Sequence, residues 1–121
     1  MSRTILITGV SGSLARVVTE LLAPGNTIVG VDVRPLPPGR PFEGEFHCVR
    51  YTQRKMTEIF RSHRPDVVIH LGRIRGTQVQ SSSYRYNQNV LGTQNLLDLS
   101  LKHGAKRVVV MSTYHVYGAH Q

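Results

Sequence analysis

Short runs of apolar, β-branched residues alternate along the chain with longer stretches in which apolar side chains recur every three or four positions. The first run, Arg3-Thr4-Ile5-Leu6-Ile7-Thr8, ends at Gly9 and passes into Leu14, Val17, Val18, Leu21 and Leu22. The pattern predicts a buried strand, a tight turn and an amphipathic helix. Thr27-Ile28-Val29-Gly30-Val31-Asp32 predicts a second strand. Residues 33–41 hold four of the six prolines, so the second crossover is expected as a stiff, partly polyproline-like loop. Residues 46–50 predict a third strand. Met56, Ile59 and Phe60 predict a short helix that stops before Pro65. Residues 66–72 read as a fourth strand buried on both faces, and the polar residues 72–83 as a loop. One long helix is expected over 84–103, with Val90, Thr93, Leu96, Leu97 and Leu101 along one side and Gly104 as its cap. Residues 107–112 predict a fifth strand. This alternation means parallel strands joined by right-handed crossovers, an α/β doubly wound sheet.

The first turn carries chemistry as well as shape. Gly9 allows a sharp exit from the strand, and Gly12 has no Cβ to obstruct a diphosphate approaching the backbone. Ala15 is small enough for the helix to pack closely on the strand. The free N–H groups and positive dipole of a helix start form an anion site. An ordinary strand–turn–helix would use the same residues, but Asp32 tips the balance. It closes the second strand near the spacing, about 20 residues past the glycines, at which an acid meets adenosine ribose hydroxyls.

The chain's 121 residues suit one domain that buries about two-thirds of its unfolded surface. No apolar run approaches a membrane span and no signal-peptide pattern opens the chain, so no membrane partner is expected. Cys48 is the single cysteine, which excludes an intramolecular disulfide, suggests a reducing cytoplasm and predicts a small buried side chain in a strand. The net charge of +8 comes from 15 basic and 7 acidic residues. Arg50, Arg54, Lys55, Arg61, Arg64, Arg73 and Arg75 are not interleaved with stacking aromatics, so a solvated face is favoured over a nucleic-acid surface. No metal site is expected.

Thr8-Gly9-Val10-Ser11-Gly12-Ser13-Leu14-Ala15, Asp32, Val68-Ile69-His70-Leu71, Asn89-Val90-Leu91-Gly92-Thr93 and Ser112-Thr113-Tyr114-His115-Val116-Tyr117-Gly118 follow one another along the chain. In this order they resemble segments of the extended short-chain dehydrogenases/reductases, the NAD-dependent epimerase/dehydratase family. The resemblance implies a Rossmann sheet of order 3-2-1-4-5 that binds NAD and acts on a nucleotide sugar by hydride transfer. It implies that the backbone of Ser13 and Leu14 meets the diphosphate, with Gly9, Ser11 and Gly12 also binding the cofactor. Leu71 and Gly72 would line the crevice, and Asn89 would brace the fourth strand or touch the cofactor, unless it only satisfies a nearby backbone group. Thr113 would be the catalytic hydroxyl. Asp32 favours NAD over NADP by accepting the 2′-hydroxyl, although Arg34 could accommodate a 2′-phosphate. The 84–103 helix resembles one that pairs subunits in homodimers.

The departures from the family pattern are specific. A Tyr-x-x-x-Lys helix is expected after Thr113, and the one literal match, Tyr51 to Lys55, precedes it and is set aside. Ala15 stands at the third glycine. The third-strand end reads Val49-Arg50-Tyr51 where an aspartate for adenine is usual, and Gly72-Arg73 follows Leu71 where an alanine pair is usual. Tyr114 and His115 occupy the positions of a dehydratase Asp-Glu pair. The expectation is therefore an incomplete NAD(P)-binding domain over 1–121, truncated before the sixth strand, lacking the C-terminal substrate domain and inactive by itself. A non-catalytic NAD(P)-binding sensor or scaffold is the other reading.

Overall fold

The structure, a computed structural model, describes residues 2–74 and 81–111. The chain runs through β1 (Thr4–Thr8), α1 (Ser13–Leu22), β2 (Thr27–Asp32), β3 (Glu45–Cys48), α2 (Arg54–His63) and β4 (Val67–His70). It continues through α3 (Ser82–Tyr86), a π-helical turn (Asn87–Leu91), α4 (Gly92–Lys102) and β5 (Arg107–Val110). The strands form one parallel sheet of order β3-β2-β1-β4-β5. This is the doubly wound order that the resemblance implied.

Alternation along the strands sends side chains to two cores. Leu6, Val29, Val31 and Val68 meet Tyr51, Met56, Ile59, Phe60, Leu96 and Leu99 on the α2/α4 side. Ile5, Ile7 and Ile28 meet Ala15 of α1 on the other, with Leu36 and Phe42 of the proline loop packed against them. Thr8 pairs with Val31 on one side and His70 on the other. From β1 the chain winds outward to β3, then crosses back to β4, so the connections at the carboxyl ends of β1 and β4 diverge. That divergence opens a crevice at the switch point.

Several expectations change. The third strand begins earlier and ends at Cys48, which is exposed rather than buried. It lies at the end of an edge strand, its Sγ 3.6 Å from the Val33 carbonyl. β4 is not buried on both faces, because Val67 and Ile69 border an open cavity of about 400 Å³ shared with Leu22 and Val109. In α1, Ala15 and Thr19 point inward, whereas Leu14, Val17 and Leu21 are exposed. α2 does end before Pro65, with Arg64 leaving the helical region at φ 44. The long helix forms, but its inward face is Gln88, Gly92, Leu96, Leu99 and Ser100. Val90, Leu97 and Leu101 face outward, Leu101 being 85% exposed. The extra residue in the π turn rotates the two halves relative to a regular 3.6-residue count. The charged side chains of Arg50, Arg54, Lys55, Arg61, Arg64 and Arg73 lie in exposed residues.

Candidate functional site

The glycine turn divides its labour. Gly9 adopts φ +76, and a Cβ there would lie 2.7 Å from the Gly72 nitrogen, so both conformation and space require glycine. Gly12 is extended at φ −88, and a Cβ would meet only Gly9 O at 3.4 Å and Arg34 Nη2 at 3.8 Å. The fold would tolerate a methyl at Gly12, but the space it would fill belongs to the crevice. Among the described residues no side chain caps α1, which leaves its first-turn N–H groups able to take an external acceptor.

Asp32 is 2% exposed, and its carboxylate ties the turn to the end of β2. Oδ2 accepts from the Ser11 N–H at 2.9 Å and Oδ1 from the Arg34 N–H at 2.9 Å, with Arg34 Nε 3.6 Å away. A carboxylate offers about four lone-pair sites, so acceptor capacity remains for ribose hydroxyls. The Ser11 hydroxyl donates to the Pro35 carbonyl at 2.9 Å, pinning the proline loop beside the turn.

Beneath the crevice runs a chain of hydrogen bonds whose direction follows from donor counts. Thr8 Oγ1 accepts from the N–H groups of Leu71 and Gly72 at 3.0 and 2.9 Å. Its single proton therefore goes to His70 Nδ1, 2.6 Å away. His70 must then carry its proton on Nε2 and donate to Thr93 Oγ1 at 2.9 Å. The Thr93 hydroxyl in turn donates to the Asn89 carbonyl at 2.7 Å. Burial favours this neutral imidazole and lowers its pKa from 6.5 to about 4.

The π turn places two amides. Asn89 accepts from Ile74 N–H at 2.7 Å and donates to Ile74 C=O at 2.8 Å, so its side chain clamps the segment leaving β4. Buried Gln88 accepts from Tyr51 N–H at 3.0 Å. Tyr51 lies edge-on to His70, ring centroids 5.4 Å apart, and burial, reinforced by the Asp32 charge, raises its pKa so that the phenol stays neutral. A Cβ on Gly72 would collide with the Tyr51 hydroxyl, with Cζ only 2.6 Å away. The Tyr51 ring therefore occupies the space that any side chain larger than glycine at position 72 would need. Tyr51 is buried while Lys55 is exposed on α2.

The crevice has a volume of about 540 Å³, and Gly9, Gly12, Ser13, Leu14, Asp32, Arg34, Leu71 and Gly72 line it with Tyr51, Arg73 and Met111. Ser11 and Asn89 act from its margin through Asp32 and Ile74. Thr113 lies outside the described residues. Sequence reasoning missed the roles of Thr8, His70, Thr93 and Tyr51. A histidine inside a β-branched strand was the one visible signal; the threonines that meet it are distant along the chain.

The model of the NAD dependent epimerase/dehydratase family matches residues 5–121. UDP-glucose 4-epimerase 2 of Oryza sativa subsp. japonica is 33% identical over 133 residues, covering 97% of this chain and 33% of that protein. A short-chain dehydrogenase/reductase superfamily protein from Agrobacterium tumefaciens, solved with bound NAD, has 30% identity and a TM-score of 0.80 over 95% of this chain and 34% of its own. MoeE5, solved with UDP-glucose and NAD, has 30% identity and a TM-score of 0.76 over 96% of this chain and 38% of its own. The chain spans about a third of the length of the curated relatives it matches. It belongs to the NAD-dependent epimerase/dehydratase family.

Proposed function

We propose that the chain forms the cofactor-binding part of an NAD-dependent enzyme that converts one nucleotide sugar into another. The carrying observation is Asp32, buried yet with half its acceptor capacity unused, beside an uncapped helix start and the open space over Gly12. Those groups fit a dinucleotide. The N–H groups of Ser13 and Leu14 would hold the diphosphate, Asp32 the adenosine ribose, and Leu71 and Gly72 the crevice wall. Asn89 holds that wall indirectly, through Ile74. When bound, NAD supplies a hydride acceptor. Thr113 would hydrogen-bond the substrate oxygen. The nucleotide-sugar class follows from the relatives, one of them solved with UDP-glucose.

Calorimetric titration with NAD, NADP and ADP-ribose tests the reading. NAD should bind more tightly than NADP, and Asp32→Ala should weaken NAD and narrow the difference. Tighter NADP binding, with Arg34 released from Asp32 to meet the 2′-phosphate, would overturn it. We also place the protein in the cytoplasm; among the described residues no helix is long and apolar enough to cross a membrane. The exposed stripe of Tyr86, Val90, Leu97 and Leu101 supports a homodimer through this helix. Light scattering should give twice the chain mass, reduced to one by Leu97→Glu.

A further inference from the structure

We infer that Glu45, His47 and His63, none of which lines the cofactor crevice, form a binding site for a zinc-class divalent ion on the edge strand of the sheet. Glu45 and His47 are two residues apart on β3, so the pleat turns both side chains to one face. That face is the one covered by α2, whose last residue is His63. The Nε2 atoms of His47 and His63 lie 2.6 and 2.9 Å from the same oxygen, Glu45 Oε2. All three ligand atoms fall within 4.8 Å of one another. The imidazoles do not stack; their planes cross at 64° with centroids 6.0 Å apart, so both nitrogens aim at one point.

Two imidazole nitrogens and one carboxylate oxygen suit zinc and its transition-metal neighbours, whereas calcium and magnesium call for more oxygens. Zinc bonds of about 2.0–2.1 Å in a tetrahedron set ligand atoms roughly 3.3 Å apart. The two Nε2–Oε2 distances need to open by about half an ångström, which side-chain rotation provides. The imidazoles are about four-fifths covered, at 19% and 22% side-chain exposure, while Glu45 is 56% exposed. The ion can therefore enter from solvent and keep a water as its fourth ligand. The site also sits at the carboxyl end of α2, where the helix dipole favours positive charge.

A bound ion would staple the edge strand β3, whose ladder partner is β2, to the helix that covers it. Titration of the tag-free chain with zinc, and with cobalt as a visible-absorbing probe, should show one ion per chain, four-coordinate cobalt bands and a raised Tm. Far-UV circular dichroism of the metal-free variants confirms that they fold. His47→Ala, His63→Ala and Glu45→Gln should each weaken binding by at least about tenfold, since outer-shell losses alone cost 10–100-fold. Calcium and magnesium should leave Tm unchanged. Undiminished one-to-one zinc binding by a folded His47→Ala/His63→Ala double variant, or no binding by the parent chain at equimolar zinc, would overturn the proposal.

Discussion

Acidification should weaken this protein through His70. Its imidazole is neutral in the fold because Nδ1 accepts from Thr8 while Nε2–H donates to Thr93. Protonation would set Nδ1–H against a Thr8 hydroxyl whose acceptor sites already serve Leu71 and Gly72. Burial lowers the folded pKa from 6.5 to about 4. The depressed value means that the unfolded chain binds more protons between those limits. Stability is therefore full above about pH 6.5, falls as the pH drops toward 4 and then levels off. Near pH 5 the unfolded histidine is almost fully charged and the folded one roughly a tenth charged, a linkage cost of about 2 kcal/mol, or roughly thirtyfold in the folding constant. Urea unfolding near pH 7 and pH 5, followed by far-UV circular dichroism, measures it. His70→Asn keeps an acceptor for Thr8 but does not titrate, so its loss across the interval should be smaller by that amount. Glu45, whose pKa is lowered by hydrogen bonds from His47 and His63, affects both proteins equally at lower pH. Equal losses within about 0.5 kcal/mol would refute the buried-neutral assignment.

The two turn glycines should separate. Gly9→Ala should cost at least about 2 kcal/mol in urea unfolding, from left-handed backbone and collision with Gly72. Gly12→Ala should change stability by less than about 0.5 kcal/mol while abolishing NAD binding by calorimetry. Gly72→Ala should cost about 1–3 kcal/mol by forcing Tyr51 aside, and Tyr51→Leu should recover most of it in a double-mutant cycle. Asn89→Ala should cost about 1–3 kcal/mol and speed hydrogen exchange at Ile74, whose backbone loses both partners.

Local chemistry wrote much of this protein into its sequence. The β-branched runs marked the strands, the prolines of residues 33–41 excluded a helix there, and strand–crossover alternation left a parallel doubly wound sheet. The glycine turn and Asp32 were legible because their spacing is set by one strand, one helix and the next strand, all close in sequence. What the sequence could not settle was which of two apolar stripes a helix turns inward. In α1 and α4 apolar residues lie on more than one side, and the choice depends on the sheet beneath and, for α4, on the residue added by the π turn. Nor could spacing reveal Thr8, His70 and Thr93 as one hydrogen-bonded chain. Their contact exists because β1 and β4 are neighbours and α4 crosses behind them. The reciprocal fit of Tyr51 and Gly72 is of the same kind: two residues separated along the chain share one volume, and only tertiary packing decides how it is divided.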